Sequence, residues 1–289
     1  MNAVNNIYAV VVWYQPTEEQ VSTLRTYSEA VQHVIVVDNS KEDHSRLLCS
    51  LSEDRCTYLP QHDNTGIGAA LNIGCRLAIA HGAKWIMTMD QDSRWEEEQL
   101  EKYIRYVNEY AELEKAGVFS PRQDYTGRTR QYAQRYEQKI AVMTSGCLLS
   151  ASGFAATGGF REELFIDEVD NEYCMHIRRL GMQVVIINDA VLKHQLGSPR
   201  EIRLLGIWRK EYIYHAPFRY YYITRNILYL SRLYPEYRRF NRKRLNKMLK
   251  RVVLYHSGHR IEILRMCLNG WRDYKAGRMG RSERFGSEV

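Results

Sequence analysis

A chain of 289 residues with 45% hydrophobic content can bury a full core, as one large domain or one domain with a tail. Its six cysteines, Cys49, Cys56, Cys75, Cys147, Cys174 and Cys267, include no C-x-x-C pair, which argues against structural zinc and a disulfide framework. The net charge of +7 is unevenly placed, with 22 Lys or Arg against 7 Asp or Glu from Pro199 onward, so the tail is where an anionic partner would bind.

Ile7 to Trp13 is an apolar, β-branched run that predicts a buried strand, stopped by Gln15-Pro16. Thr17 opens a polar helix with Glu18 and Glu19 in its first turn, where the helix dipole favours acids. Val34 to Val37 predicts a second strand ending at Asp38-Asn39-Ser40, and Cys56 to Leu59 a third. Asn64-Thr65-Gly66-Ile67-Gly68 then starts a helix through Ala69 to His81, and Trp85 to Met89 is a strand running into Asp90-Gln91-Asp92-Ser93. This alternation predicts a mostly parallel sheet covered on both faces, with ligands beyond the carboxyl ends of the strands, where Asp38, Asn64 and Asp90 fall. Further on, Met143 to Leu149 reads as a strand, Ala155 to Phe160 as a turn, Asp167 to Leu180 as a helix closed by Gly181, and Val184 to Ile187 as a strand. After Pro199 long helical stretches rich in Tyr, Arg and Leu, such as Phe218 to Tyr234 and Arg242 to Tyr255, predict an appended helical region rather than more sheet. No stretch reaches the roughly 18 apolar residues of a membrane span, and Met1 to Asn6 lacks a basic leader, so a cytoplasmic location is expected.

Five places carry candidate chemistry. In an extended chain, residues two apart point to one side, so Asp90 and Asp92 can converge on one cation while Gln91 faces away. Hard oxygen ligands suit Mg²⁺ or Mn²⁺, and an ion held by one or two carboxylates completes its shell with substrate phosphates, which points to a nucleotide diphosphate. The two glycines of Asn64 to Gly68 can bring backbone N–H groups to a nucleotide, although a turn with Asn64 as helix cap explains them equally. Leu71 stands where a dinucleotide fingerprint needs its third glycine, and no Lys follows as in a P-loop. Asp38 could accept from a base or ribose, or serve a turn. Asp167, Glu168, Asp170 and Glu172 either cap a helix or present a general base, and position does not separate the two. His194 becomes a candidate ligand if the fold returns it to Asp92.

Taken in order, Val36 to Ser40, Asn64 to Asn72, Met89 to Ser93, Ser145-Gly146-Cys147, Gly158-Gly159-Phe160, Phe165 to Asp170, His194-Gln195-Leu196-Gly197 and Arg219 to Asn226 resemble the family 2 inverting glycosyltransferases. They are most similar to bacterial rhamnosyltransferases of O-antigen or capsular polysaccharide assembly. The resemblance implies an α/β, GT-A type fold: a catalytic domain over 1–198, with nucleotide binding in 1–93 and acceptor and catalytic functions in 94–198, then a basic, aromatic helical region over 199–289. It further implies that Asp38 recognises the base, that Asn64, Gly66 and Asn72 line the nucleoside pocket, that Asp90 lies beside the ribose and diphosphate, and that Asp92 and His194 bind the metal. Asp170 would be the catalytic base, with Gly146, Glu172 and Arg225 in acceptor or positioning roles. Val169 stands where many members have Glu, and His176 where they have Arg, which leaves Asp167 as the second candidate base. The implied reaction is a direct displacement from dTDP-L-rhamnose to an undecaprenyl-diphosphate-linked oligosaccharide. UDP-galactofuranose or another nucleotide sugar is the alternative donor, and a non-catalytic nucleotide- or anion-binding partner is the alternative role. The tail would make peripheral contact with the inner face of the membrane, its Tyr and Leu entering the interface, or would pack on the catalytic domain. A nucleic-acid partner is not expected, because it leaves the acidic rim unexplained.

Overall fold

The computed structural model describes residues 5–48, 53–124, 132–194, 199–204, 208–213, 215–255 and 259–288. They pack as two units, Met1–Glu162 with Val169–Gln195, and Glu163–Glu168 with Leu196–Val289. In the first unit the β-branched runs become strands β1 (Ile7–Trp13), β2 (His33–Asp38), β3 (Cys56–Pro60) and β4 (Trp85–Asp90), joined through helices α1 (Glu18–Ser28) and α2 (Ile67–Ala80). All pairings among these strands are parallel, in the order β3-β2-β1-β4. Every residue of β1 is buried, as a strand covered on both faces demands.

The remainder of the sheet departs from the parallel expectation. It comprises β5 (Ser93–Arg94), α3 (Glu97–Asn108), β6 (Ala116–Asp124), β7 (Tyr136–Gln138), β8 (Cys147–Ser150), α4 (Ala151–Thr157), α5 (Val169–Arg179) and β9 (Gln183–His194). Strand β8 runs antiparallel to both β4 and β6, while β9 is parallel to β6 and antiparallel to β5 and β7. The sheet is therefore mixed, in the order β3-β2-β1-β4-β8-β6-β9-β5. The strand expected from Met143 begins only at Cys147, because the φ of +75° at Gly146 breaks the extended backbone. The helix expected from Asp167 begins at Val169, because Phe165, Asp167 and Glu168 are left-handed, with φ of 66°, 60° and 69°. Trp13, Leu24, Tyr27, Met87, Phe119, Leu148 and Val185 belong to the main buried core.

The second unit corrects the expectation of helices alone after Pro199. It starts with an antiparallel hairpin, β10 (Pro199–Leu204) and β11 (Trp208–Ile213), before α6 (Pro217–Leu233), α7 (Arg238–Tyr255) and α8 (Arg260–Lys275). The charged-apolar alternation of Glu201-Ile202-Arg203-Leu204 is a period-two signal that the helical reading passed over. Tyr220, Tyr221 and Tyr222 of α6 are core residues, and the Tyr221 hydroxyl donates to Asp273 Oδ2 at 2.8 Å. Residues 163–168, which chain order places within 94–198, pack with these helices. Among the described residues no helix is long and apolar enough to cross a membrane. Five cysteines are free thiols, and Cys49 lies outside the described residues.

Candidate active site

Strand β4 delivers Asp90 at its last position, and β5 resumes at Ser93. Gln91 and Asp92 form a turn between them, so the extended alternation expected for the two carboxylates is not the local geometry. The turn is held from two sides. Asp90 N–H donates to Ser145 Oγ at 3.1 Å, and the Ser145 hydroxyl donates to Ser93 Oγ at 2.7 Å. Gln91, expected to face away, accepts from Tyr14 N–H at 2.7 Å and donates through Nε2 to Tyr14 O at 3.2 Å, fastening the turn to the segment after β1. Asp90 and Asp92 are half-buried.

Strand β9 lies antiparallel to β5 with His194 opposite Ser93. The fold thus returns the His194 backbone to the strand that follows Asp92. Residues 195–197 of that motif lie outside the described residues. Among the described residues no group of three or more His, Cys, Asp or Glu forms a cation site.

Gly146 fixes this arrangement. Its N–H donates to Thr88 O at 2.7 Å, and a Cβ there would lie 2.8 Å from Leu192 Cδ2 and from Pro121 Cγ. With φ at +75°, glycine is the residue this bend accommodates, and the bend places Ser145 against Asp90.

Asp170 sits in the first turn of α5, half-buried, its Oδ1 accepting from Asn171 N–H at 2.7 Å and Asn171 Nδ2 at 3.1 Å. Its helix reaches the segment that also holds Asp90: Cys174 Sγ lies 3.9 Å from Val142 O, and Asp90 N–H donates to Ser145 Oγ, three residues further on. Burial pushes the Cys147 thiol well above its ordinary value, and Cys174, Asp170 and Asp90 push it the same way. Cys174, one turn beyond Asp170, is pushed up to about 12, first by burial and then by Asp170 and Glu172. Both thiols are protonated at neutral pH, which removes them as nucleophiles. Glu172 is buried, with Oε1 accepting from Arg161 Nε at 3.0 Å, and this pair anchors the first turn of α5.

At the carboxyl end of the parallel strands, Asp38 ends β2 fully buried. It accepts from Ser40 N–H at 3.0 Å, from the Tyr58 hydroxyl at 2.7 Å and contacts His44 Nδ1 at 2.7 Å. Burial, and then the bond to Asp38, raise the Tyr58 hydroxyl above its ordinary value. Asn39 ties this rim to the next loop, donating to Asn64 Oδ1 at 2.9 Å and accepting from Thr65 N–H at 3.0 Å. Asn64 Oδ1 also accepts from Gly66 N–H at 3.0 Å, and Gly66, not Asn64, holds the cap position of α2. Asn72 is buried within α2. It donates to Phe160 O at 2.9 Å and Glu162 Oε1 at 2.8 Å and accepts from Phe160 N–H at 2.7 Å, so its amide holds the 158–162 loop.

Residues 18–166 match the model for glycosyl transferase family 2. The chain is 33% identical over 246 residues to dTDP-rhamnosyl transferase RfbF of Shigella flexneri, a match covering 79% of this chain and 80% of that protein. The chain belongs to glycosyl transferase family 2. Galactofuranosyltransferase GlfT1 of Mycobacterium tuberculosis is 26% identical, with 97% of each protein covered. Among solved structures, S. aureus TarS 1–349 in complex with UDP-GlcNAc superposes with a TM-score of 0.61 at 14% identity, over 98% of this chain and 83% of that one. GalNAc-T7 with UDP, GalNAc and Mn²⁺ gives a TM-score of 0.57 at 12% identity, over 71% of this chain and 45% of that one. These likenesses show the shared GT-A type fold.

In this family 2 glycosyltransferase the two candidate bases differ in surroundings. Asp167 is clasped by Arg219, at 2.6 Å from Nη2 and 3.2 Å from Nε, and Glu168 by both terminal nitrogens of Arg244. Asn226 Nδ2 lies within 3.0 Å of the carbonyls of Leu164, Ile166 and Asp167. Arg225 is buried, donating to Leu164 O at 3.1 Å, Gly280 O at 2.7 Å and Asn226 Oδ1 at 3.0 Å. These partners give Arg225 a structural task in the second unit. His44, Tyr58, Gln91, Ser145 and Arg161 were not singled out from sequence. Ser145 and Gln91 lie inside the motifs that were, whereas His44 and Tyr58 reach Asp38 only through loop folding and β2-β3 pairing.

Proposed function

We propose that this family 2 transferase moves L-rhamnose from dTDP-L-rhamnose to a lipid-linked oligosaccharide in O-antigen or capsule assembly, by direct displacement with inversion. The observation that carries the site assignment is that the Asp90 turn and the helix of Asp170 meet one segment, Asp90 N–H at Ser145 Oγ and Cys174 Sγ at Val142 O. The identity to a dTDP-rhamnosyl transferase supports the donor, ahead of the lower identity to a galactofuranosyltransferase.

Asp170 takes the proton of an acceptor hydroxyl as that oxygen bonds to the anomeric carbon. The bond from that carbon to the diphosphate oxygen breaks, and dTDP leaves with the electron pair. Asp170 is favoured over Asp167 because Arg219 engages both oxygens of Asp167. Asp38, Asn64, Gly66 and Asp90 line the nucleotide side, with Asn72 acting through the 158–162 loop. Asp92 and His194 would hold a divalent cation, Mg²⁺ or Mn²⁺, which when bound offsets charge on the diphosphate. A lipid-linked acceptor places the enzyme at the membrane periphery on the cytoplasmic face, with the basic second unit as the contact.

The test is Asp170→Asn. Transfer should fall by roughly 10²–10⁴ while the affinity for dTDP-rhamnose, read by calorimetry, is kept. Near-normal turnover would remove Asp170 from the mechanism, and turnover with UDP-galactofuranose alone would replace the donor.

A further inference from the structure

We infer that α8 lies flat in the interface of an anionic bilayer, its outer stripe inserted among the acyl chains and the cations of α7 and α8 against phosphate headgroups. This deepens the membrane contact proposed above by naming the face and the lipid chemistry. It narrows that contact to the leucines of the tail, because Tyr220, Tyr221 and Tyr222 are core residues.

The stripe consists of Ile261, Leu264, Leu268 and Trp271, which are 77%, 39%, 43% and 45% exposed. Their spacing of three, four and three residues confines them to roughly 80° of the helix surface. Ile263, Cys267 and Asp273 on the rest of the helix surface are buried, so α8 is already packed and the stripe is a second, outward apolar face. Arg265, Arg272 and Lys275 are exposed beside it. The last turn of the preceding helix carries Val253 and Leu254, 49% and 55% exposed. Helix α7 contains no Asp or Glu, and its Arg238, Arg239, Arg242, Lys243, Lys247, Lys250 and Arg251 are exposed.

Large apolar side chains rimmed by cations on one helix pair is the pattern of an interfacial helix, which buries its apolar face about 5–10 Å into the headgroup boundary. Each cation near an anionic surface adds attraction that falls off within a Debye length. A second copy of the chain fits less well, since a two-fold contact through this face would set the α7 cations against themselves. A nucleic acid would meet the cations but leave the stripe in water.

The full chain should float with vesicles of phosphatidylcholine plus phosphatidylglycerol and not with phosphatidylcholine alone. Leu264→Glu combined with Leu268→Glu should weaken that partition on the order of tenfold or more. Hydrolysis of the soluble donor and the thermal unfolding midpoint should stay as in the wild type, because both positions are exposed. Unchanged flotation of the double variant, or equal flotation with neutral vesicles, would overturn the proposal. So would a stripe-dependent dimer or RNA complex in place of vesicle binding. Loss of dTDP-rhamnose use with flotation intact would defeat the assigned reaction and leave the lipid face standing.

Discussion

Gly146→Ala separates two penalties that usually arrive together. Gly146 and Gly158 share a φ of +75°, but a Cβ at Gly146 would lie 2.8 Å from Leu192 Cδ2 and Pro121 Cγ and 3.2 Å from Trp95 Cζ2, whereas at Gly158 nothing lies within 4 Å. Alanine at either position meets the left-handed backbone, at about 1–2 kcal/mol. Only at Gly146 does overpacking add about 1–3 kcal/mol, because the neighbours are a ring carbon, an indole edge and a buried leucine. Gly158→Ala should therefore cost about 1–2 kcal/mol and Gly146→Ala about 2–5 kcal/mol, read from urea unfolding followed by tryptophan fluorescence. The function should diverge more sharply. Relief of the clash moves Ser145, whose hydroxyl holds Asp90 N–H, so Gly146→Ala should also weaken donor binding while Gly158→Ala does not. Equal destabilisation of the two variants would refute the steric argument, and a Gly146→Ala protein with unaltered donor affinity would refute the link to Asp90.

Gln91→Ala removes two bonds to the Tyr14 backbone at a solvent-facing turn. Stability should change by no more than about 1–2 kcal/mol, while KM for the donor rises severalfold with kcat less affected. A kcat loss at constant KM would contradict a role in holding the turn. For Asp273, burial would raise the carboxyl, but Arg278, the Tyr221 hydroxyl and Arg284 outweigh it and hold the group below its ordinary 3.8. A folded value below the unfolded one gives stability that is complete above about pH 4–5 and lost as pH falls through the folded value. Asp273→Asn should thus cost about 1.5–3 kcal/mol at neutral pH, with the gap to wild type closing on acidification. A gap independent of pH in parallel denaturant titrations would show that the charge is not the stabilising element.

The first half of the large sheet was legible because its strands are uninterrupted β-branched runs, and buried parallel strands require that composition. The same logic fails for β6, where Pro121 and Arg122 interrupt the pattern, and for β8, whose direction is set by its insertion between β4 and β6. At the site, Asp90 and Asp92 were visible as acids closing an apolar run. The turn that separates them was not, since it depends on Tyr14 and Ser145 from other parts of the chain. Asp38 was visible, but the contacts that engage it come from His44 and Tyr58, six and twenty residues away. The left-handed backbone at Phe165 and Glu168 had no sequence signal and that at Asp167 only a weak one, because what holds the loop lies in α6 and α7.

That loop changes what counts as an exchangeable part. Left-handed non-glycine residues cost about 1–3 kcal/mol each and persist where surroundings over-determine them. Here the surroundings are Arg219, Asn226 and Arg244. The family match stops at Ile166, inside the loop. Anyone grafting C-terminal helices between such transferases would naturally cut after the last strand of the large sheet, and would then give the host loop the wrong partners. The transplantable module is discontinuous, the helices together with residues 163–168, and chimeras should be designed by exchanging both pieces at once.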